Sequence, residues 1–274
     1  MQGGDPQPRV PIFPVDAFAG TAPFYVDYRP PYPDALLAGL VGHPSITGNG
    51  RLLDIACGPG RLTLPLAASF REVLAIDLEP EMIDAAKNEA ARRHVDNVNW
   101  RVGFAEDMEA TGDAFELITI GEAFHRLDQD RVASLALRCL EPGCRLATLG
   151  CYTILSAREP WQKIVTELVM RWTRPLGNNA PGGRPANGPE NNERVMRRMG
   201  FVDVGTHSLT EPLEWTIPSI LGYLYSTSVC SKAVLGGNAG AFESELTAAL
   251  KAHHSGGRFM ENLQWGYTSG TKPA

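Results

Sequence analysis

The chain has 274 residues, of which 43% are apolar and 20% charged, with a formal net charge of −6; this suits one large α/β domain, or a core with a small cap. It excludes a bilayer-spanning segment, since no run approaches ~20 apolar residues, and it argues against a nucleic-acid substrate, which calls for clustered cations. With no leader-like amino terminus and five cysteines that form no CxxC pair, reduced thiols, no metal centre and a cytoplasmic location are expected.

In chain order, residues 1–20 are rich in Pro and Gly and read as irregular. Pro30, Pro31 and Pro33 make a stiff bend, and a helix follows from Asp34 to about Val41. Apolar strands then alternate with helices over short connections, which calls for a parallel sheet. The strands are 51–56, 72–77, 98–102, 115–120 and 145–150. The first runs into Gly58-Pro59-Gly60, with a helix beyond, and the second ends on Asp77. Glu79-Pro80 opens a helix with proline at its tolerated first position, and Met82, Ala86 and Ala90 lie along one face. Another helix runs from about Asp128, its N-cap, to Leu140, and Glu141-Pro142-Gly143 turns the chain into the fifth strand. A long amphipathic helix starts at Pro160 and carries Trp161, Ile164, Val165, Leu168, Val169 and Trp172 on one stripe. Residues 177–189 are too rich in Gly, Pro and Asn to bury apolar area, so a mobile surface loop or a lid is expected there. Strand 201–210, helices 218–229 and 239–253, and strand 259–267 complete the chain. Three regions result: an N-terminal segment and helix (1–44), a core of alternating strands and helices (45–151), and a helical cap with the last strands (152–274).

The run Leu52-Leu53-Asp54-Ile55-Ala56-Cys57-Gly58-Pro59-Gly60-Arg61-Leu62-Thr63 carries the chemistry. Gly58 and Gly60 let a ligand approach the backbone, and the helix start beyond them favours negative ligand groups. Thr63 stands where the third glycine of a dinucleotide fingerprint would fall. With Asp77 after the second strand and Glu106-Asp107 after the third, the series resembles the class I S-adenosylmethionine-dependent methyltransferases. Tyr25-Val26-Asp27-Tyr28-Arg29-Pro30-Pro31-Tyr32-Pro33 resembles the YRPxYP segment of their small-molecule members. The resemblance implies a Rossmann-like, doubly wound sheet of about seven strands, mostly parallel with one antiparallel strand near the edge, plus a helical cap. It implies S-adenosylmethionine as cofactor and S-adenosylhomocysteine as product. Asp77 would take the ribose hydroxyls, Leu78 and Met82 would pack on the adenine, and Glu106 and Asp107 would read its amino group. Asp54 would help hold the donor's amino end. Tyr25, Tyr28 and Arg29 would lie near its methionine end, with Arg29 on the carboxylate. Ala56 and Gly121, at the ends of the first and fourth strands, belong to the same set.

Methyl transfer needs alignment of acceptor, methyl and sulfur, and a free lone pair on the acceptor. The segment Ile120-Gly121-Glu122-Ala123-Phe124-His125-Arg126-Leu127-Asp128 stands where related enzymes of planar nitrogens carry an Asn/Asp-Pro-Pro-Tyr turn. His125 is the first candidate for general base, and Glu122 the second, above all for an amine. Both residues also have purely structural readings. Tyr152, Trp161, Trp172, His207, Trp215, Tyr223 and Tyr225 are candidates for the acceptor wall. An aromatic cap favours a small organic acceptor, such as a natural product or its sugar or amine precursor, modified at oxygen or nitrogen. The alternatives are a donor-binding enzyme of the same fold that catalyses a rearrangement or cyclisation, and a binding module with a degenerate site. Oligomeric state is not readable.

Overall fold

The computed structural model describes residues 16–106, 114–151, 154–176 and 189–274. Seven strands form one sheet: β1 (Arg51–Ile55), β2 (Glu72–Asp77), β3 (Val98–Val102), β4 (Phe115–Gly121), β5 (Leu140–Cys151), β6 (Val202–Thr216) and β7 (Arg258–Thr271). Their order is β3-β2-β1-β4-β5-β7-β6. Strands β1 to β5 pair in parallel, and β7 runs against both β5 and β6. The sheet is thus Rossmann-like, with one reversed strand next to the edge.

Strands β1, β2 and β4 are buried almost throughout because helices cover both faces of the sheet. Leu53, Ile55, Leu74, Ile76, Ile118 and Ile120 pack against α5 (Gln129–Cys139) and α7 (Pro189–Met199). The alternate residues Leu52, Val73 and Leu117 pack against α2 (Asp34–Val41) and α3 (Thr63–Ala67). α4 (Pro80–Arg92) starts on its proline, as its sequence requires. A separate apolar cluster builds the cap from α6 (Pro160–Thr173), α8 (Ile217–Tyr225), α9 (Lys232–Leu235) and α10 (Ala239–His253).

Several elements differ from their sequence expectation. A helix, α1 (Ala22–Tyr28), forms within the tyrosine-rich segment. α7 adds a helix between the 177–189 segment and β6. β5 begins at Leu140 rather than after Glu141-Pro142-Gly143, because Leu140 pairs with Phe115 across a register shift. β6 and β7 are longer than expected, since their antiparallel ladder holds from Val202↔Thr271 to Thr216↔Arg258. α8 stops at Tyr225, four residues early, where the Ser226 and Thr227 hydroxyls donate back to the Tyr223 and Leu224 carbonyls. Residues 177–188 of the expected lid, together with Asp107 and Tyr152, lie outside the described residues. Among the described residues no helix is long and apolar enough to cross a membrane, and none of the five cysteines forms a disulfide.

Candidate active site

The parallel strands deliver the glycine loop, Asp77 and Glu122 to one edge of the sheet. Ala56, Gly58 and Gly60 all take positive φ (53°, 55° and 81°), which turns the chain sharply off β1. The Cys57 amide donates to the Ile76 carbonyl at 3.0 Å and ties the turn to β2. A side chain on Gly60 would meet the Trp100 ring at 2.9 Å, whereas the space beside Gly58 is open. Bare backbone at that point lets a ligand come close.

Asp77 faces this loop. One carboxylate oxygen accepts from the Gly58 amide at 2.7 Å and the other from the Glu79 amide at 2.9 Å. Each oxygen keeps a further lone pair for a ligand hydroxyl. Burial pushes the carboxyl upward in pKa, and the amide hydrogen bonds oppose that shift. Leu78 is half-buried next to it, and Met82 is buried on the first turn of α4. Glu106 is half-buried beyond the end of β3.

Asp54 has a different task from the one expected. It is fully buried, and its oxygens accept from the hydroxyls of Thr63 at 2.5 Å and Thr119 at 2.8 Å. Burial raises its pKa to about 6, against the pull of those two hydroxyls. Asp54 therefore pins the chain just after the loop to β4. The helix beyond the loop is also shorter than expected. α3 spans only Thr63–Ala67, too short to offer a strong N-terminal field to an anion.

Cationic charge stands there instead. Glu122, at φ 55°, lies at the carboxyl end of β4 with its amide donating to the Leu149 carbonyl at 2.8 Å. Arg29 Nη1 is 3.6 Å from one of its oxygens, and Arg61 Nη1 is 3.8 Å from the other. The Cys151 thiol donates to Glu122 Oε1 at 3.3 Å. The Arg29 guanidinium is sandwiched between the rings of Tyr25 and Tyr223, at 4.6 and 4.7 Å, and its Nε donates to Ser226 Oγ at 2.7 Å. Burial raises the Tyr25 pKa, and its hydroxyl lies within the fields of Arg29, Glu122, Arg61 and Asp77, so it links the two halves of the site. Gly121 abuts the Tyr32 hydroxyl; a Cβ there would lie 2.6 Å from it. The Tyr28 ring turns away and fills the notch at Gly222 of α8, where a Cβ would come within 2.2 Å.

A cleft too narrow to hold a water molecule as it stands lies beside this cluster, lined by Arg29, Pro30, Glu122, Cys151, Trp215, Tyr223, Leu263 and Trp265. Trp215 and Tyr223 were expected there. Trp161 instead packs on Phe259, Trp172 donates to Glu245, Tyr225 donates to Glu243, and His207 stacks on Tyr267. His125 sits on the 3-10 turn Phe124–Arg126 and does not line the cleft. Burial lowers its pKa to about 4, Arg126 adds to the effect, and Glu122 opposes it. Sequence reasoning missed Arg61, Cys151, Leu263 and Trp265. Only Arg61 carried a signal, its place directly after Gly60.

Residues 52–143 match the family model described as a methyltransferase domain. The nocamycin O-methyltransferase of Saccharothrix syringae is 28% identical over 239 residues, covering 80% of this chain and 84% of that protein. Among solved structures, the YcgJ protein of Bacillus subtilis is similar with a TM-score of 0.55 at 17% identity, covering 88% of this chain and 99% of that one. Phosphoethanolamine N-methyltransferase 2 of Haemonchus contortus, solved with S-adenosylhomocysteine, is similar with a TM-score of 0.54 at 16% identity, covering 95% of this chain and 57% of that one. Residues 52–143 thus match a methyltransferase domain, in a chain that is similar to a methyltransferase over four-fifths of its length.

Proposed function

We propose that the protein is an S-adenosylmethionine-dependent methyltransferase that transfers a methyl group to an oxygen or nitrogen of a small organic acceptor. The observation that carries this reading is the Asp77 carboxylate, anchored on the Gly58 and Glu79 amides beside open glycine backbone. A carboxylate fixed in this way offers two aligned acceptors to a vicinal diol, the ribose of the donor. Leu78 and Met82 would supply apolar contact for the adenine, and Glu106 would read its amino group. Arg29 supplies charge for the amino-acid carboxylate. The residues present therefore fit the cofactor.

When bound, the sulfonium supplies an activated methyl group and a neutral thioether leaving group. The chain's own task is alignment and proton handling. Trp215, Tyr223 and Trp265 line the cleft, and a small acceptor would have to part them to lie against Glu122. We assign the acceptor's proton to Glu122, because Glu122 lines that cleft and His125 does not. A ring with a pKa of about 4 is also a weak base at neutral pH. The likeness to nocamycin O-methyltransferase supports a natural product or its precursor as the acceptor.

The test is turnover with a panel of small acceptors, read by mass spectrometry. A mass gain of one methyl with equimolar S-adenosylhomocysteine is the expected result. Conversion of an acceptor without S-adenosylhomocysteine would contradict it and favour a rearrangement or cyclisation on the same fold.

A further inference from the structure

Two guanidiniums, Arg29 and Arg61, share one carboxylate, Glu122, and all three side chains are only 10–13% exposed. The pairs are loose. At 3.6 and 3.8 Å the nitrogens lie beyond hydrogen-bonding distance of the Glu122 oxygens. Arg29 is compensated by its bonds to the Ser226 hydroxyl and carbonyl and by two aromatic faces. Arg61 is not: its Nη2 is buried without any hydrogen-bond partner. Its remaining neighbours are the faces of Tyr25 and Tyr32, at 5.8 and 5.4 Å. The cluster thus holds surplus positive charge and one unmet planar donor directly after the glycine loop, the pattern a ligand carboxylate satisfies in bidentate fashion.

Resting on the reading of this loop as an S-adenosylmethionine site, we propose that Arg61 is the principal anchor of the donor's carboxylate and that Glu122 is its internal placeholder. In the free protein Glu122 stands loosely where the ligand's carboxylate will stand. Binding replaces it on Arg61 and leaves Glu122 free toward the aromatic cleft. The first effect is recognition of the amino-acid tail. The second makes donor binding a precondition for Glu122 to serve the acceptor.

The test compares S-adenosylmethionine with decarboxylated S-adenosylmethionine, which differs only in the carboxylate, by isothermal titration calorimetry. The wild type is expected to prefer the carboxylated ligand by about tenfold or more, and Arg61→Met to reduce that preference to within about threefold. Arg61→Lys, which keeps the charge but loses the fork, retains part of it. Glu122→Gln, which removes the competitor, raises the preference by about threefold or more. A wild type indifferent to the carboxylate, a preference unchanged in Arg61→Met, or a lowered one in Glu122→Gln would overturn the assignment. Should Arg61→Met fail to fold, the wild-type preference and the Glu122→Gln arm decide. If neither ligand binds the wild type, the S-adenosylmethionine reading itself fails, which is a separate outcome from a wild type that binds both equally.

Discussion

Asp54 and Asp77 stand on neighbouring strands, and their surroundings give them opposite work. Asp54 holds two buried threonine hydroxyls and ties β1 to β4 and the chain after the loop, while Asp77 rests on backbone amides beside the open space at Gly58. Asp77→Ala is expected to weaken S-adenosylhomocysteine binding by about 1–3 kcal/mol, read by calorimetry on the folded variant, and also to lower stability, since the Gly58 and Glu79 amides lose their acceptor. Unchanged affinity would remove Asp77 from the site. His125 makes a pH prediction. In the unfolded chain its imidazole titrates near 6.5 and in the fold near 4, so between those values the unfolded state binds more protons. Its contribution to stability is therefore lost as the pH falls from about 6.5 to about 4, by up to ~3 kcal/mol. His125→Gln should flatten that part of the profile of unfolding free energy against pH; an unaltered profile would contradict the burial argument. Glu122→Gln should slow turnover about a hundredfold or more, and His125→Gln by less than about tenfold, measured as S-adenosylhomocysteine release. The acids were legible because an acid after a strand has a fixed position. Arg61 was not, since sequence alone does not say whether a loop arginine turns inward beneath two tyrosines or outward to water.

The loop between β1 and α3 is the element on which the site depends. Its glycines were readable as close-approach points, and the structure adds a reason of its own: Gly60 combines φ 81° with the Trp100 ring at 2.9 Å from a would-be Cβ. Gly60→Ala should cost about 1–3 kcal/mol in urea unfolding, from backbone strain alone, and more if Trp100 cannot yield. A neutral effect would mean the loop relaxes freely. The cap hangs on a second element pair. Glu261 on β7, buried, accepts from Gln162 of α6 at 2.7 Å and from Trp215 of β6 at 2.7 Å. Glu261→Ala leaves two buried donors without a partner and should destabilise the protein by about 2–4 kcal/mol in the same assay. Helix starts were legible from Glu79-Pro80 and Glu159-Pro160, where proline marks the first turn. The ends of β6 and β7 were not, because their length is set by mutual pairing across 41 or more intervening residues and not by local pattern.

At the scale of the whole molecule, alternation of strand and helix dictated a parallel sheet, and right-handed crossovers place every β–α loop on one edge. That edge is where the glycine loop, Asp77 and Glu122 meet. The reversed β7 then carries Leu263 and Trp265 to the wall of the cleft, and β6 and α8 bring Trp215 and Tyr223. The acceptor wall is thus assembled from segments remote in sequence, which explains why only two of its aromatic residues could be named in advance. The core fold depends on the alternation, whereas the acceptor depends on how the cap leans on the sheet. The most direct measurement is calorimetric titration of the full chain with S-adenosylhomocysteine, beside the Asp77→Ala variant. The structure predicts one site per chain, with a Kd of about 100 μM or tighter in the wild type and at least about fivefold weaker in the variant. No binding heat together with no shift in Tm, or equal affinity in both proteins, would contradict it.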